Sequence, residues 1–111
     1  MSINSCRKGK VGERGFRDKL VEHGFPAARG RQYQGSPDSP DITCPALPFH
    51  WEVKHVERLD LYGALLAAIR DAGERIPVVA HRRNRSEWLV TLRADDFLDI
   101  VRRSDIPISL T

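Results

Sequence analysis

The stretch PDITCPALPFHWEVK, residues 40–54, decides how the chain folds. From residue 49 onward its side chains alternate: the apolar ones are Phe49, Trp51 and Val53, and the polar ones are His50, Glu52 and Lys54. Successive side chains of a β-strand point to opposite faces of the sheet, so the pattern predicts a strand with one apolar and one polar face. The polar face has two interpretations. It is either the wet side of a half-buried strand carrying an ordinary Glu–Lys pair, or the wall of an active site that handles a phosphate.

Outward from this strand, the sequence predicts three helices and five strands. The helices are expected over about residues 8–23, 61–72 and 94–103, and the strands over Phe25–Gln34, Ile42–Cys44, Phe49–Val56, 76–81 and 87–92. The apolar stripe of the first helix consists of Val11, Phe16, Leu20 and His23. Gly24 is expected to end that helix, and Asp60 to cap the second.

The predicted order α-β-β-β-α-β-β-α describes an α/β protein. A helix between two strands is most simply a crossover that joins parallel neighbours, which makes the sheet mixed. A chain of 111 residues fits one domain, so residues 1–111 are expected to form a single mixed β-sheet flanked by helices.

The composition, with 41% hydrophobic and 30% charged residues, is that of a soluble globular protein. Cys6 and Cys44 are too few for a disulfide framework, and no secretion signal or apolar run of membrane length is present. A cytoplasmic protein without a membrane partner is therefore expected. Zinc is not, because the histidines lack ligand spacing: they are His23, His50, His55 and His81. His50, on the polar strand face, is placed to touch a substrate.

The basic residues indicate a polyanionic partner. The net charge is only +3, but 14 of the 18 basic residues are Arg, whose rigid fork of donors suits phosphate oxygens. The candidates for contact with DNA are Arg7, Lys8, Lys10, Arg14, Arg29, Arg31, Arg82, Arg83 and Arg85. Two alternatives stay open: an Arg bias also follows from a GC-rich genome, and the arginines at 82, 83 and 85 also suit a solvated turn.

Three carboxylates and one lysine form the candidate catalytic set. An acid-x-Lys triplet alone carries little weight, since one is expected by chance in roughly 100 residues. Here Glu52 and Lys54 share a strand face, and Asp41 precedes the neighbouring strand, so the two acids are expected side by side. Glu13 borders the buried stripe of the first helix. Phosphodiester hydrolysis with Mg²⁺ needs one or two carboxylates for the ion, and a lysine beside it to orient water or stabilise developing charge.

The residues PDI…EVK, with Asp41 and Glu52 on either side of ten residues, resemble the signature of the PD-(D/E)XK nuclease superfamily. The opening RKGKVGERGFRDKLVEHGF, residues 7–25, resembles the Holliday junction resolvases of archaea and related phages. The resemblance covers roughly residues 7–101 and implies a restriction-endonuclease-like core. Asp41 and Glu52 would be metal ligands together with the Val53 carbonyl, Lys54 would be catalytic, and Glu13 would be the helix acid.

The same resemblance implies Mg²⁺ or Mn²⁺ as cofactor, nicks that leave 5′-phosphate ends, and a homodimer that places two sites on branched or junction DNA. The function expected first is accordingly a metal-dependent, structure-selective DNA endonuclease. Two alternatives remain: a non-catalytic DNA-binding module that keeps the nuclease fold, and a restriction- or repair-type nuclease acting on ordinary duplex or flap DNA.

Some assignments have a second candidate. Asp38 also follows a proline, but Asp41 is preferred because a short strand starts directly after it. For the aromatic residues Tyr33, Tyr62 and Trp88, a role in packing is preferred, and base stacking is the alternative. Leu66 and Ile69 are candidates for a dimer surface, with ordinary core packing preferred.

Overall fold

The computed structural model describes residues 2–30 and 40–110, with side chains from Lys8 onward. Its helices are α1 (Ser2–Glu22), α2 (Leu61–Asp71) and α3 (Ala94–Arg103). Its strands are β1 (Ala28–Arg29), β2 (Ile42–Thr43), β3 (Phe49–His55), β4 (Ile76–Arg82) and β5 (Leu89–Thr91). The predicted order of elements is confirmed.

The five strands form one mixed sheet in the order β1-β2-β3-β4-β5. Strands β3 and β4 are parallel, with Glu52 level with Val79, and every other neighbouring pair is antiparallel. Helix α2 makes the crossover between the two parallel strands, as the sequence predicts. The α/β class with a mixed sheet and flanking helices is therefore confirmed.

The larger part of the core lies between the sheet and α1. Phe16 and Leu20 of α1 are buried against the apolar face of β3, and the Phe16 ring lies 5.0 Å from Trp51 and 5.2 Å from Trp88. Val53 belongs to the same cluster. Trp88 thus packs against the core as predicted, and the apolar face of β3 carries α1.

The opposite face of the sheet carries α2. Val79 alternates with the residues of β4 that face α1, so it points to this second side, where α2 packs chiefly on β4. Ala68 and Ala72 are the buried residues of the helix and its C-cap. The predicted N-cap is confirmed, since the Asp60 carboxylate accepts a hydrogen bond from the Gly63 N–H at 3.0 Å.

Helix α1 differs from its prediction at its start and along its stripe. It begins at Ser2 and not near residue 8, so the glycines at 9, 12 and 15 lie within the helix. Val11 is 56% exposed and His23 is also exposed, so neither belongs to the buried stripe. Gly24, with φ of +89°, ends the helix as predicted.

Two expectations for exposed or edge positions also change. Strand β1 comprises only Ala28–Arg29 within the described part of the predicted segment; Tyr33 and residues 31–34 lie outside it. Tyr62 was predicted to pack, but it is 83% exposed because it sits on the α2 face turned away from the sheet. No side chain of α3 is buried.

Among the described residues, no helix is long and apolar enough to cross a lipid bilayer.

Candidate active site

Asp41 sits where β2 begins, and the edge of β3 holds its side chain. Its backbone N–H donates to the Trp51 carbonyl at 3.0 Å, although Ile42 is the residue paired with Trp51. The strand is therefore irregular at Asp41, and the carboxylate turns toward β3. There Oδ2 accepts a hydrogen bond from the Val53 N–H at 2.9 Å. The carboxylate thus replaces the backbone carbonyl that would accept this bond if β2 were longer.

The carboxyl groups of Asp41 and Glu52 lie close enough to share a hydrogen bond. Burial raises the pKa of Asp41 from 3.8 to about 6, and the charges of Glu52 and Glu13 add to that rise, while the bond from Val53 N–H opposes it. Asp41 therefore keeps its proton to a higher pH than an ordinary aspartate does.

Lys54 is the next residue of β3 on the Glu52 face, one pleat further, about 7 Å along the strand. Its side chain is half-buried, and it makes no ion pair with any other described side chain. An ammonium group on this face, with no described carboxylate bound to it, is available to an anionic ligand. The backbone thus places Glu52 and Lys54 on one face of β3, and the Asp41 side chain reaches the edge of that strand at Val53.

Glu13 approaches the same acids from α1. It is close enough to raise the pKa of Asp41, yet its own Oε1 accepts a hydrogen bond from Arg29 Nε at 3.0 Å and lies 3.0 Å from Arg29 Nη2 in an ion pair. Its side chain is 17% exposed and that of Arg29 30%, so the pair is partly shielded from water. Glu13 therefore lies beside the site with its charge compensated by an arginine.

The residues present fit a hydrated divalent cation. Across residues 8–30 and 40–110, no three or more His, Cys, Asp or Glu side chains form a cluster arranged to hold a metal ion. Mg²⁺, however, is commonly bound by only one or two carboxylates and keeps several waters. Asp41 and Glu52 would supply those two oxygen donors, and the charges of Glu52 and Glu13 that raise the pKa of Asp41 are ones that a dication would offset.

His50 does not reach a substrate, contrary to the expectation from its place on the polar strand face. It is 3% exposed, because α2 covers this part of the sheet. Its Nε2 lies 3.3 Å from Oε1 of Glu52. Asp71, at the end of α2, lies near it. Strand alternation cannot show which helix covers a face, so the sequence carried no signal for this arrangement.

The basic candidates fall into three groups. Lys8 and Arg29 form ion pairs with Glu57 and Glu13, and Arg82 lies 5.6 Å from the centre of the Trp88 ring. The others with described side chains are exposed: Lys10, Arg14, Arg83 and Arg85. Arg7 and Arg31 lie outside the residues with described side chains, and so does Asp38, the alternative to Asp41.

The sheet, with parallel β3 and β4 in its centre, antiparallel outer strands and flanking helices, has the architecture of a resolvase-type nuclease fold. The chain is similar to the 1.6 Å structure of Hjc, a Holliday junction resolvase from the archaeal hyperthermophile Archaeoglobus fulgidus. The TM-score is 0.53 at 27% identity, over 72% of this chain and 72% of that chain. The resemblance inferred from the sequence is thereby confirmed. No protein-family model matches the chain, and no curated protein matches it.

Proposed function

We propose that the protein is a divalent-metal-dependent DNA endonuclease that hydrolyses phosphodiester bonds, with Asp41, Glu52, Lys54 and Glu13 as its catalytic set. The observation that carries the proposal is the contact between the Asp41 and Glu52 carboxyls, with Lys54 one pleat away on the same face. A structural ion pair would join the lysine to an acid. This arrangement instead joins acid to acid and leaves the lysine for an anion.

Each residue has a distinct task in this proposal. Asp41 and Glu52, with the Val53 carbonyl, would hold Mg²⁺ or Mn²⁺, which when bound lowers the pKa of water and polarises a phosphate oxygen. Lys54 binds a non-bridging oxygen of the scissile phosphate and stabilises the charge that develops as water attacks phosphorus. The bond from phosphorus to the 3′ oxygen breaks, which leaves a 5′-phosphate and a 3′-hydroxyl. Glu13 keeps Arg29 beside the site, where it too can meet the DNA backbone.

A cleavage assay with Mg²⁺ on supercoiled plasmid tests the activity. Asp41→Asn, Glu52→Gln and Lys54→Met are each expected to lower the rate by at least about 100-fold, because each removes a charge at the reacting phosphate. Glu22→Gln, at the exposed end of α1, is the matched control and should cut like the parent. Salt-sensitive DNA binding without cleavage under Mg²⁺ or Mn²⁺ would instead identify the non-catalytic module.

The proposed substrate is branched DNA, and the proposed state is a homodimer. Support comes from the similarity to Hjc, which is itself a Holliday junction resolvase. An exposed apolar surface supports a second copy: Tyr62 and Leu66 of α2, and Phe97 and Leu98 of α3, are each more than half exposed. A cleft of about 370 Å³ lies between the start of α2 and the segment from Thr91 to Ala94, and Tyr62 lines it.

Two measurements test these finer proposals. Sedimentation of the parent should give a dimer, and Leu66→Glu together with Phe97→Glu should give a folded monomer. A four-way junction should be cut at least about 10-fold faster than a linear duplex that has the same sequence as the junction arms. Equal rates on the two substrates would favour the restriction- or repair-type alternative, and a monomeric parent would contradict the dimer.

A further inference from the structure

His50 is the buried polar side chain of the described core. It is 3% exposed and lies on β3 level with Pro77 of β4, which is fully buried. An apolar residue would fill such a position at lower cost, because a buried polar group destabilises the fold unless its hydrogen bonds are made. The partner of the imidazole therefore indicates why a histidine stands there.

That partner is Glu52. The Nε2 atom of His50 lies 3.3 Å from Oε1 of Glu52, whose side chain is only 14% exposed. A carboxylate accepts hydrogen bonds, so in this pair His50 would carry its hydrogen on Nε2 and donate it to Glu52. On one side Glu52 faces Asp41, and on the other it faces this N–H donor.

Asp71, at the end of α2, lies near the imidazole. The hydrogen bond from Arg70 is the main cause that lowers the pKa of Asp71, and His50 is near enough to lower it further. The Asp71 side chain is 10% exposed. The end of α2 thus places a carboxylate next to His50, and His50 places an N–H next to Glu52. The charge of Arg70 also acts on Glu52.

We propose that His50 is a positioning residue, whose Nε2–H holds the Glu52 carboxylate toward Asp41 so that both face one divalent ion. This inference rests on the proposed function, since it concerns the same metal site. It requires no charge on the imidazole, only a donor at the Nε2 position. A glutamate without that donor can turn about its three side-chain bonds. Partners of metal ligands typically change metal affinity by about 10- to 100-fold when removed.

Two amide variants separate positioning from packing. In His50→Gln the side-chain nitrogen reaches the place of Nε2 and keeps the donor, whereas in His50→Asn the amide ends one atom short. His50→Leu fills the space without a donor. The measurement is calorimetric titration of Mn²⁺ into each purified protein without DNA, together with its melting temperature.

The expected result is a Kd for Mn²⁺ that rises by about 10- to 100-fold in the Asn and Leu variants and stays within about 3-fold of the parent in the Gln variant. Equal Kd values in all four proteins would overturn the role of His50, provided that Glu52→Gln weakens binding. If Glu52→Gln binds Mn²⁺ like the parent, or if the parent binds none, the metal site itself is wrong and the proposed function fails with it.

A spectroscopic measurement on the parent keeps the test independent of how the variants fold. Nitrogen-15 NMR of the imidazoles reports which ring nitrogen of His50 carries hydrogen. A protonated Nε2 is expected. A bare Nε2 in the metal-free protein would direct a lone pair at the Glu52 carboxylate, and would overturn the proposal.

Discussion

The two faces of strand β3 have opposite characters. On one face Trp51 and Val53 are buried against Phe16 and Leu20 of α1, with rings in contact and no charge. On the other face Glu52 meets Asp41, so that the pKa of Asp41 rises to about 6. The first face therefore stabilises the fold. The second face holds neighbouring carboxyl groups, which destabilise the fold when both are ionised. The comparison shows how a short domain keeps an electrostatically unfavourable site: it places the site on the back of its best-packed strand.

Removal of the apolar face should have the largest effect on stability. Phe16→Ala deletes a ring that is 4% exposed and touches both Trp51 and Trp88, so the free energy of unfolding should fall by about 3–5 kcal/mol. Val11→Ala, on the same helix but 56% exposed, should change it by less than about 0.5 kcal/mol. Urea denaturation of both variants measures the difference, and equal losses would contradict the assignment of α1 residues to core and surface.

The polar face of β3 should make the stability of the protein depend on pH. Because the pKa of Asp41 is raised to about 6 in the folded protein, the unfolded chain loses this proton first as pH rises from about 4. The metal-free protein should therefore lose stability between pH 4 and 6, by up to about 3 kcal/mol, and the loss persists above pH 6.

Asp41→Asn should lack this loss, since the amide oxygen can still accept from Val53 N–H and carries no charge. Its melting temperature in EDTA at pH 7 should exceed that of the parent, and the two should converge near pH 4. Asp99→Asn removes an exposed carboxylate of α3 and should keep the parental pH dependence. A parent whose stability rises steadily from pH 4 to 7 would contradict the electrostatics of the site.

A smaller effect on stability is expected from a substitution where α1 contacts β3, next to Glu13. A Cβ at Gly12 would lie 2.7 Å from the Cβ of His55 on β3, so Gly12→Ala must push α1 from the sheet and displace the adjacent Glu13. The expected loss is about 1–3 kcal/mol of stability, together with slower DNA cleavage.

The matched control for that substitution is Gly9→Ala, one turn earlier on α1. No atom lies within 4 Å of the added Cβ, so the variant should gain up to about 1 kcal/mol from helix propensity and cleave normally. Thermal unfolding of the two alanine variants measures the difference. Identical shifts in their melting temperatures would mean that α1 does not approach β3 as closely as described.

Much of this arrangement follows from the sequence. Alternation along β3, the cap at Asp60 and the stop at Gly24 are local signals, and they predict the order of elements and the parallel pair β3–β4. They also predict that Asp41 and Glu52 meet, because two strands joined by a short turn are neighbours. The irregularity at Asp41, where its side chain takes the place of a backbone acceptor, has no such signal.

What the sequence missed depends on contacts between distant elements. His50 is buried because the end of α2 covers it, and the pairing of Arg29 with Glu13 requires β1 to lie under α1. Tyr62 is exposed for the corresponding reason: a helical stripe is wide enough for several apolar residues, and only the packed structure selects those that face inward.

The most direct test of the central claim is the anomalous diffraction of a crystal soaked in Mn²⁺. We expect one strong peak between the carboxyl groups of Asp41 and Glu52, within about 2.3 Å of an oxygen of each. A peak bound by neither residue, or no peak at saturating Mn²⁺, would contradict the claim that these two acids hold the ion for phosphodiester hydrolysis.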